Sequence, residues 1–367
     1  MPRFWYNTLM DNTASRKSPV MRTREIVVER VAGATGSRRL DNSSVAAPET
    51  IAATGFAERR VAADGEDLLS LSLRAARAVM DGISPDEICG VVAATFSGAD
   101  RFPGLAVRLA SALGLDACAP ALDLQIACSA YPYALYVAGR IAADTGRKVL
   151  VVDGDVQSRL TDAADPSTAP LFSDAATATL VSCPPDTDAV SEFGFFSRAS
   201  DALSCAASGP IRMDGFKVFS FVAADVVRFL RGFGGDFDQF VPHQANMYMV
   251  RQLAKSLGLE DRLVTCGAEY ANPGSSSVPL ALALHARPGR ALLAAFGAGL
   301  SASAATVRLA PNAALGLAAR VDLCPKPGTI ASFLEPAGTK PKFDFPGRFC
   351  RVENARISAP EMRAFPF

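Results

Sequence analysis

The sequence predicts an α/β protein built from two related halves, and three observations carry that expectation. Apolar runs of strand length alternate with amphipathic helical stretches over most of the 367 residues, the pattern of a sheet with helices on its faces. Segments also repeat: LASALGL at 109–115 returns as LAKSLGL at 253–259, an offset of 144, and GRKVLVVDG from Gly146 returns as GRALLAAFG from Gly289, an offset of 143. Between these anchors lie two strand–turn–helix units whose turns hold Cys128 and Asn272, again 144 residues apart.

In chain order, the strands expected are CGVVAAT (89–95), ALDLQIA (121–127), KVLVVDG (148–154), TATLVS (177–182), QFVPH (239–243), ALLAAFG (291–297) and SAATVRL (303–309). Each is a short run dominated by β-branched or apolar residues. Amphipathic stretches place helices at 66–82, 103–114, 128–144, 217–232, 245–258 and 276–287. The repeat divides the core into an N-terminal half at 21–185, with Cys128, and a C-terminal half at 186–309, with His243 and Asn272. Residues 1–20 read as a polar, basic extension containing Trp5, with Met21 as the start of the core. Residues 310–367 hold eight prolines and short apolar patches, the composition of an extended arm rather than of another domain.

Composition narrows the function. Lys+Arg and Asp+Glu each total 37, so no global field draws the chain to nucleic acid or to an anionic membrane. No run approaches the roughly 18 apolar residues of a membrane-spanning helix. The N-terminus lacks the continuous apolar core of a signal peptide, which makes the cytoplasm the expected location. Eight cysteines (89, 118, 128, 183, 205, 266, 324 and 350) show no C-x-x-C spacing, so no metal is expected and most of the thiols read as small core residues.

Histidine is scarcer, with only His243 and His285. His285 falls near an expected helix C-terminus, where an imidazole can meet free carbonyls, and its role reads as structural. His243 ends the apolar run of QFVPHQAN, and strand ends are where sites gather in α/β folds. Cys128 stands between a strand-like and a helix-like run; Ala127, Ser129 and Ala130 leave room for a tight turn, and Pro132 falls in the first helical turn. A thiol at a helix N-terminus feels the positive end of the macrodipole, so a lowered thiol pKa is expected. A neutral imidazole and an amide N–H suit a substrate carbonyl that becomes an enolate. In AFGAGLS (295–301), Gly297 and Gly299 flank Ala298 and free the backbone to aim N–H groups at an acyl oxygen on Cys128.

These segments together resemble β-ketoacyl-acyl-carrier-protein synthase III, of the thiolase superfamily. LDLQIACSAYPYAL resembles its nucleophile segment, FVPHQAN its histidine motif and ANPGSSSVPLAL its asparagine motif. AFGAGLS is similar to its glycine-rich loop, RMDGFKVFSF to the segment before the C-terminal half and TGFAERRVAA to an N-terminal motif, in the family's order from Met21 to Leu309. The resemblance implies a five-layered αβαβα fold, and a cysteine-bound acyl group condensed with a malonyl-type thioester. It implies Cys128 as nucleophile, backbone amides of Cys128 and Ala298 as oxyanion hole, and His243 and Asn272 as enolate stabilisers. It further implies Phe102 as a residue that reaches across a homodimer to bound the partner's acyl pocket. Asn246, Arg251 and Lys255 would meet pantetheine or an acidic carrier protein. No cofactor is expected beyond the coenzyme A or carrier-protein thioesters that serve as substrates.

The chain also departs from the family. Thr50 and Ala53 stand in APETIAATGF, where relatives often clamp coenzyme A with tryptophan and arginine, and Tyr248 replaces a common arginine. SDAATA (173–178) replaces a glycine-rich loop. These changes favour a carrier-protein donor and a specialised role in fatty-acid or polyketide metabolism. Transfer of the acyl group to an alcohol or amine, with His243 as base, is the alternative; retention of Asn272 favours condensation. A degradative thiolase is expected to carry a second cysteine in the glycine-rich loop, where this chain has Ala298. A non-catalytic partner subunit, which would shape a catalytic homologue's pocket, typically lacks the nucleophile.

Overall fold

The computed structural model describes residues 20–319. The extension with Trp5, most of the proline-rich arm, Cys324 and Cys350 lie outside the described residues. Eleven strands form the main sheet: β1 (Met21–Arg24), β2 (Val27–Thr35), β3 (Ile88–Ala94), β4 (Ala121–Leu124), β5 (Lys148–Val156), β6 (Asp174–Ser182), β7 (Val190–Ser200), β8 (Gln239–Pro242), β9 (Gly289–Gly297), β10 (Gly299–Leu309) and β11 (Ala314–Leu317).

Their pairing repeats itself. One run is β4–β3–β5–β6–β2 and the other β8–β9–β10–β7–β1. The pairs β3–β5 and β8–β9 are parallel, while β5–β6, β6–β2, β9–β10 and β10–β7 are antiparallel. The end of β10 joins the runs by pairing Arg308 and Leu309 with Val27 and Val28 of β2. The backbone follows the offset of 144 in detail. Gly114 and Gly258 end equivalent helices with φ of 68° and 67°, and Ala127 and Ala271, just before Cys128 and Asn272, both take positive φ, 47° and 53°.

Side-chain alternation sorts the layers. Val149 and Val151 face a central cluster with helices Ala130–Thr145 and Ser277–His285, while Leu150 and Val152 face the opposite cluster with helices Leu68–Val79 and Leu105–Ala112. On the second run, Leu293 and Ala295 face the same central cluster, and Leu292, Ala294 and Phe296 face helices Gly215–Phe221, Val227–Leu230 and Met247–Leu257. Helices, sheet, helices, sheet and helices therefore make the five-layered αβαβα arrangement. The central helix SVPLALALH is apolar on every side because both sheets bury it.

Most expected strands and helices form, with differences at their ends. The helix placed at 217–232 begins at Gly215 and carries a wide π turn at Val222–Val226. The strands β2 and β7 were not expected, because charged residues interrupt their apolar runs; those charges are partnered, Arg30 donating to Val79 O and Asp81 O and Glu192 accepting from Arg22. The first part of the proline-rich segment, residues 314–317, is extended and lies on the sheet as β11, parallel to β2.

Of the buried carboxylates among the described residues, one stands without a hydrogen-bond partner. Asp153 on β5 is buried, and neither carboxylate oxygen has a hydrogen-bond partner among the described residues. Burial, and then the charge of Asp155, raise its pKa well above the carboxylate range. The folded state thus holds this proton more tightly than the unfolded chain. Its favourable contribution is complete below about pH 4 and is lost as pH rises. Asp153→Asn removes the ionisation at nearly constant volume. It is expected to raise stability at pH 8 by about 1–3 kcal/mol, a gain in Tm of a few degrees. The gain should vanish toward pH 4 in thermal melts; an equal shift at both pH values would show that ionisation is not the cause.

Candidate active site

Cys128 lies in a 3-10 turn, Ala127–Ser129, and the helix itself begins at Ala130, two residues later than expected. The left-handed backbone of Ala127 makes the reversal that carries the chain from β4 into this turn. The backbone N–H groups of Ala298 and of Cys128 itself act on the sulfur to lower its pKa. The thiol is nevertheless not acidic. Burial, and then the nearby Asp155 carboxylate, push its pKa up to about 12, which overturns the lowering expected from the helix terminus. The physical reason is that the two N–H groups offset only part of the desolvation of a buried thiolate.

His243 follows β8, where its N–H donates to Ala294 O at 2.7 Å. Its Nδ1 pairs with Ser277 Oγ at 2.6 Å, and its ring meets Phe296 edge-on with centroids 5.3 Å apart. Burial holds its pKa down to about 3, so the imidazole is neutral at physiological pH. Next to it, Gln244 Oε1 accepts the N–H groups of Cys266 and Gly267, and its Nε2 donates to Pro242 O at 2.6 Å. The histidine turn is thereby fixed at both ends.

Asn272 is held by its backbone on three sides: its N–H donates to Leu171 O, and its carbonyl accepts from Ser173 N–H and from Gln157 Nε2. The side-chain Oδ1 accepts from Gly274 N–H at 3.0 Å. An oxygen is required there, because only an acceptor can meet an N–H, so the amide Nδ2 is the end left to donate.

Cys128, His243 and Asn272 all line one cavity of about 80 Å³, together with Asn246 and Gly297. Asn246 caps helix Met247–Leu257, accepting from Met249 N–H at 2.7 Å, so that helix starts two residues after the expected position. Cys128 also lines a second, larger cavity of about 650 Å³, with Ala298, Gly299 and Phe172 but neither His243 nor Asn272. Phe102 lines neither cavity and is 85% exposed, so it is not packed in its own chain's core. Arg251 and Lys255 are exposed on the capped helix and reach neither cavity. His285 ends helix Ser277–His285 and takes no part.

Sequence reasoning missed four residues at this site. Asp155 accepts from Thr95 Oγ1, Phe96 N–H and Ser97 Oγ on one oxygen and from Ser275 Oγ on the other. Ser277 orients the imidazole, Gln157 supports Asn272, and Cys205 lines the large cavity, so a second thiol shares that space with Cys128. The signal for the first three was a pair of polar stretches, DGDVQS and GSSS, at the ends of apolar segments.

Two expectations follow. Alkylation of Cys128 by iodoacetamide, followed by peptide mass spectrometry, should accelerate about tenfold per pH unit from pH 6 to 9, because the thiolate stays a minor form below its pKa. A plateau near pH 8 would contradict a thiol of such high pKa. A Cβ placed on Gly297 would lie 2.8 Å from Cys128 Cβ and 3.2 Å from its sulfur. Gly297→Ala should therefore displace the nucleophile and slow its acylation by about 100-fold or more, with the folded state intact by circular dichroism. Unchanged acylation would show that the turn relaxes around the methyl group.

Comparison with known proteins agrees with this geometry. Residues 122–198 match the family described as 3-oxoacyl-[acyl-carrier-protein (ACP)] synthase III, and residues 234–309 match that family's C-terminal domain. The β-ketoacyl-[acyl-carrier-protein] synthase III of Shewanella oneidensis is 34% identical over 283 residues, covering 70% of this chain and 88% of that protein. The enzyme of Rhodospirillum rubrum is 34% identical over 287 residues, covering 70% and 89%. Among solved structures, a 3-oxoacyl-(acyl-carrier protein) synthase from Burkholderia xenovorans superposes with a TM-score of 0.76 at 25% identity, covering 82% of this chain and 99% of its own. The priming β-ketosynthase of the R1128 polyketide pathway superposes with a TM-score of 0.73 at 31% identity, covering 79% and 97%. The chain belongs to the β-ketoacyl-[acyl-carrier-protein] synthase III family and is a condensing enzyme of that type.

Proposed function

We propose that Cys128 accepts an acyl group from a thioester and that His243 and Asn272 then stabilise the enolate of a malonyl-type thioester. In the first half, the sulfur attacks the thioester carbonyl while the amides of Cys128 and Ala298 hold the oxyanion; the C–S bond to the donor breaks, and the thiol proton ends on the departing thiol. In the second half, the malonyl C–CO₂ bond breaks, carbon dioxide leaves, and the enolate carbon attacks the acyl-cysteine to form the new C–C bond. As that bond forms, the acyl C–S bond to Cys128 breaks, and the released thiolate takes up one proton from water, the proton that decarboxylative condensation consumes.

The observation that carries this reading is the hydroxyl of Ser277 on His243 Nδ1. A hydroxyl donates or accepts by rotation. Accepting from Nδ1–H leaves Nε2 bare to take the proton of a thiol that does not ionise by itself. Donating to Nδ1 leaves Nε2–H to point at the enolate oxygen beside Asn272 Nδ2. One neutral imidazole thus serves both halves, and no cofactor enters the scheme.

The surface suggests the partners. Phe216 and Tyr248 are exposed near Gly215, Asn246 and Met249, which line the small cavity, while Arg251 and Lys255 extend along the same helix. A carrier protein with an acidic face and a pantetheine arm suits that rim, and it is the donor we favour over coenzyme A. Cytoplasmic carrier proteins would place the enzyme in that compartment. The edge strand β4 exposes Leu122, next to exposed Phe102 and Val107, and a second copy of the chain is the occupant we assign to that edge.

Asn272→Ala separates the halves. Acylation of Cys128, followed by intact-protein mass, should stay within about threefold of wild type, while decarboxylative condensation falls by about 100-fold or more. Cys128→Ala should abolish the mass gain. If Asn272→Ala leaves condensation intact but acyl transfer to an alcohol or amine proceeds from the wild-type acyl-enzyme, the transferase reading replaces this one.

A further inference from the structure

The large cavity is the space open to an acyl group once it is attached to Cys128. Cys128 lines both cavities, and the small one, about 80 Å³, already holds His243 and Asn272. The large one, about 650 Å³, has the volume of a small-molecule site. Its floor is apolar at Ile126, Leu160 and Phe172, but Gln125, Gln157, Ser197 and Ser204 also line it. No lysine, arginine, aspartate or glutamate does so among the described residues.

Gln157 decides what this polar lining means. Its Nε2 donates to Ser173 O at 2.9 Å and to Asn272 O at 3.0 Å. Both partners are carbonyl oxygens, which only accept, so the orientation of the amide is settled. Its Oε1 is then a buried acceptor with no partner among the described residues. Buried acceptors are normally paired, and an unpaired one within a residue that lines a cavity favours ligands that bring a donor.

We propose that the enzyme selects an acyl group bearing a neutral hydrogen-bond donor, of the hydroxyacyl class, which Gln157 Oε1 receives, with Gln125 and Ser204 lining the approach. This rests on Cys128 being the acylated residue. A carboxylated chain is disfavoured because no cation lines the cavity, and an ammonium-bearing chain because no carboxylate does.

The test uses acyl-pantetheine thioesters, which contain the portion common to coenzyme A and carrier-protein donors. Straight-chain acyl groups of graded length are compared with the same chains hydroxylated at successive positions, and the rate of Cys128 acylation is read by intact-protein mass. At one hydroxyl position or more, the wild type should take the hydroxyacyl group at least about tenfold faster than its alkyl counterpart. In Gln157→Leu, and to a smaller degree in Gln125→Leu with Ser204→Ala, that ratio should fall toward one. The ratio within each variant cancels any general damage to acylation. Alkyl chains taken as fast or faster at every position would overturn the proposal, and a ratio that survives in both variants would overturn the assignment of these residues. If no thioester gives an adduct on Cys128, the reading of the nucleophile fails first and this inference goes with it.

Discussion

The carboxylate of Asp155 is the interaction on which the rest of the site depends. It lies at the end of β5 and binds two parts of the chain at once. One oxygen gathers the segment after β3 through Thr95, Phe96 and Ser97, each at 3.0 Å, and the other takes Ser275 Oγ at 2.7 Å from the turn that carries Asn272. The first half of the molecule thereby holds the turn of the second that carries Asn272. Burial raises the carboxyl pKa to about 6, while its hydrogen bonds pull the other way. At neutral pH it is mostly ionised, and its charge is one reason the neighbouring thiol stays protonated. Positioning and protonation are thus coupled: the group that locks the site together also helps keep the Cys128 thiol protonated.

The same logic applies to the two strained alanines. A residue other than glycine with positive φ costs about 1–2 kcal/mol, and Ala127 and Ala271 hold that conformation at equivalent turns, immediately before Cys128 and Asn272. Neither turn could keep it alone. The first is overdetermined by the packing of Gly297 against Cys128 and by Ser303 Oγ on Ser129 O; the second by the backbone bonds of Asn272 to Leu171 and Ser173. The same kind of turn, reversing the chain at a sheet end, thus recurs in both halves, with a different functional group at its tip.

That duplication explains what could be read from the sequence. The recurrent LASALGL and GRKVLVVDG segments mark apolar packing surfaces that both copies need, so they survive as visible strings, and the residues at the turn tips follow by counting. Cys128, His243 and Asn272 were legible because thiols with polar company, histidines and polar turns are rare in this chain. Asp155, Gln157 and Ser277 were not, because their significance is a matter of which distant backbone they touch: Gln157 meets Asn272 across 115 positions. The strands β2 and β7 were lost for a related reason, since partnered charges at Arg30 and Glu192 imitate surface residues in a pattern read one position at a time. The thiol's acidity failed as an expectation because a helix terminus acts within a turn, whereas the desolvation that opposes it comes from the whole burial of the sulfur.

The division of space around Cys128 closes the argument from fold to chemistry. A condensing site must hold an acyl group out of water while a second thioester loses carbon dioxide beside it. Two cavities that meet at Cys128 suit that need: on the proposed reading the acyl tail takes the large one, while His243, Asn272 and Asn246 line the small one. Phe172 borders both cavities, and the segment around it also supplies Leu171 and Ser173 to the Asn272 backbone. A displacement of this segment therefore reaches the backbone of Asn272. Through Gln157, which touches Ser173 and Asn272 together, the same holds for the polar end of the large cavity. On the proposed function, selection of the acyl group and stabilisation of the enolate are two ends of one short hydrogen-bonded chain from the large cavity through Gln157 to Asn272.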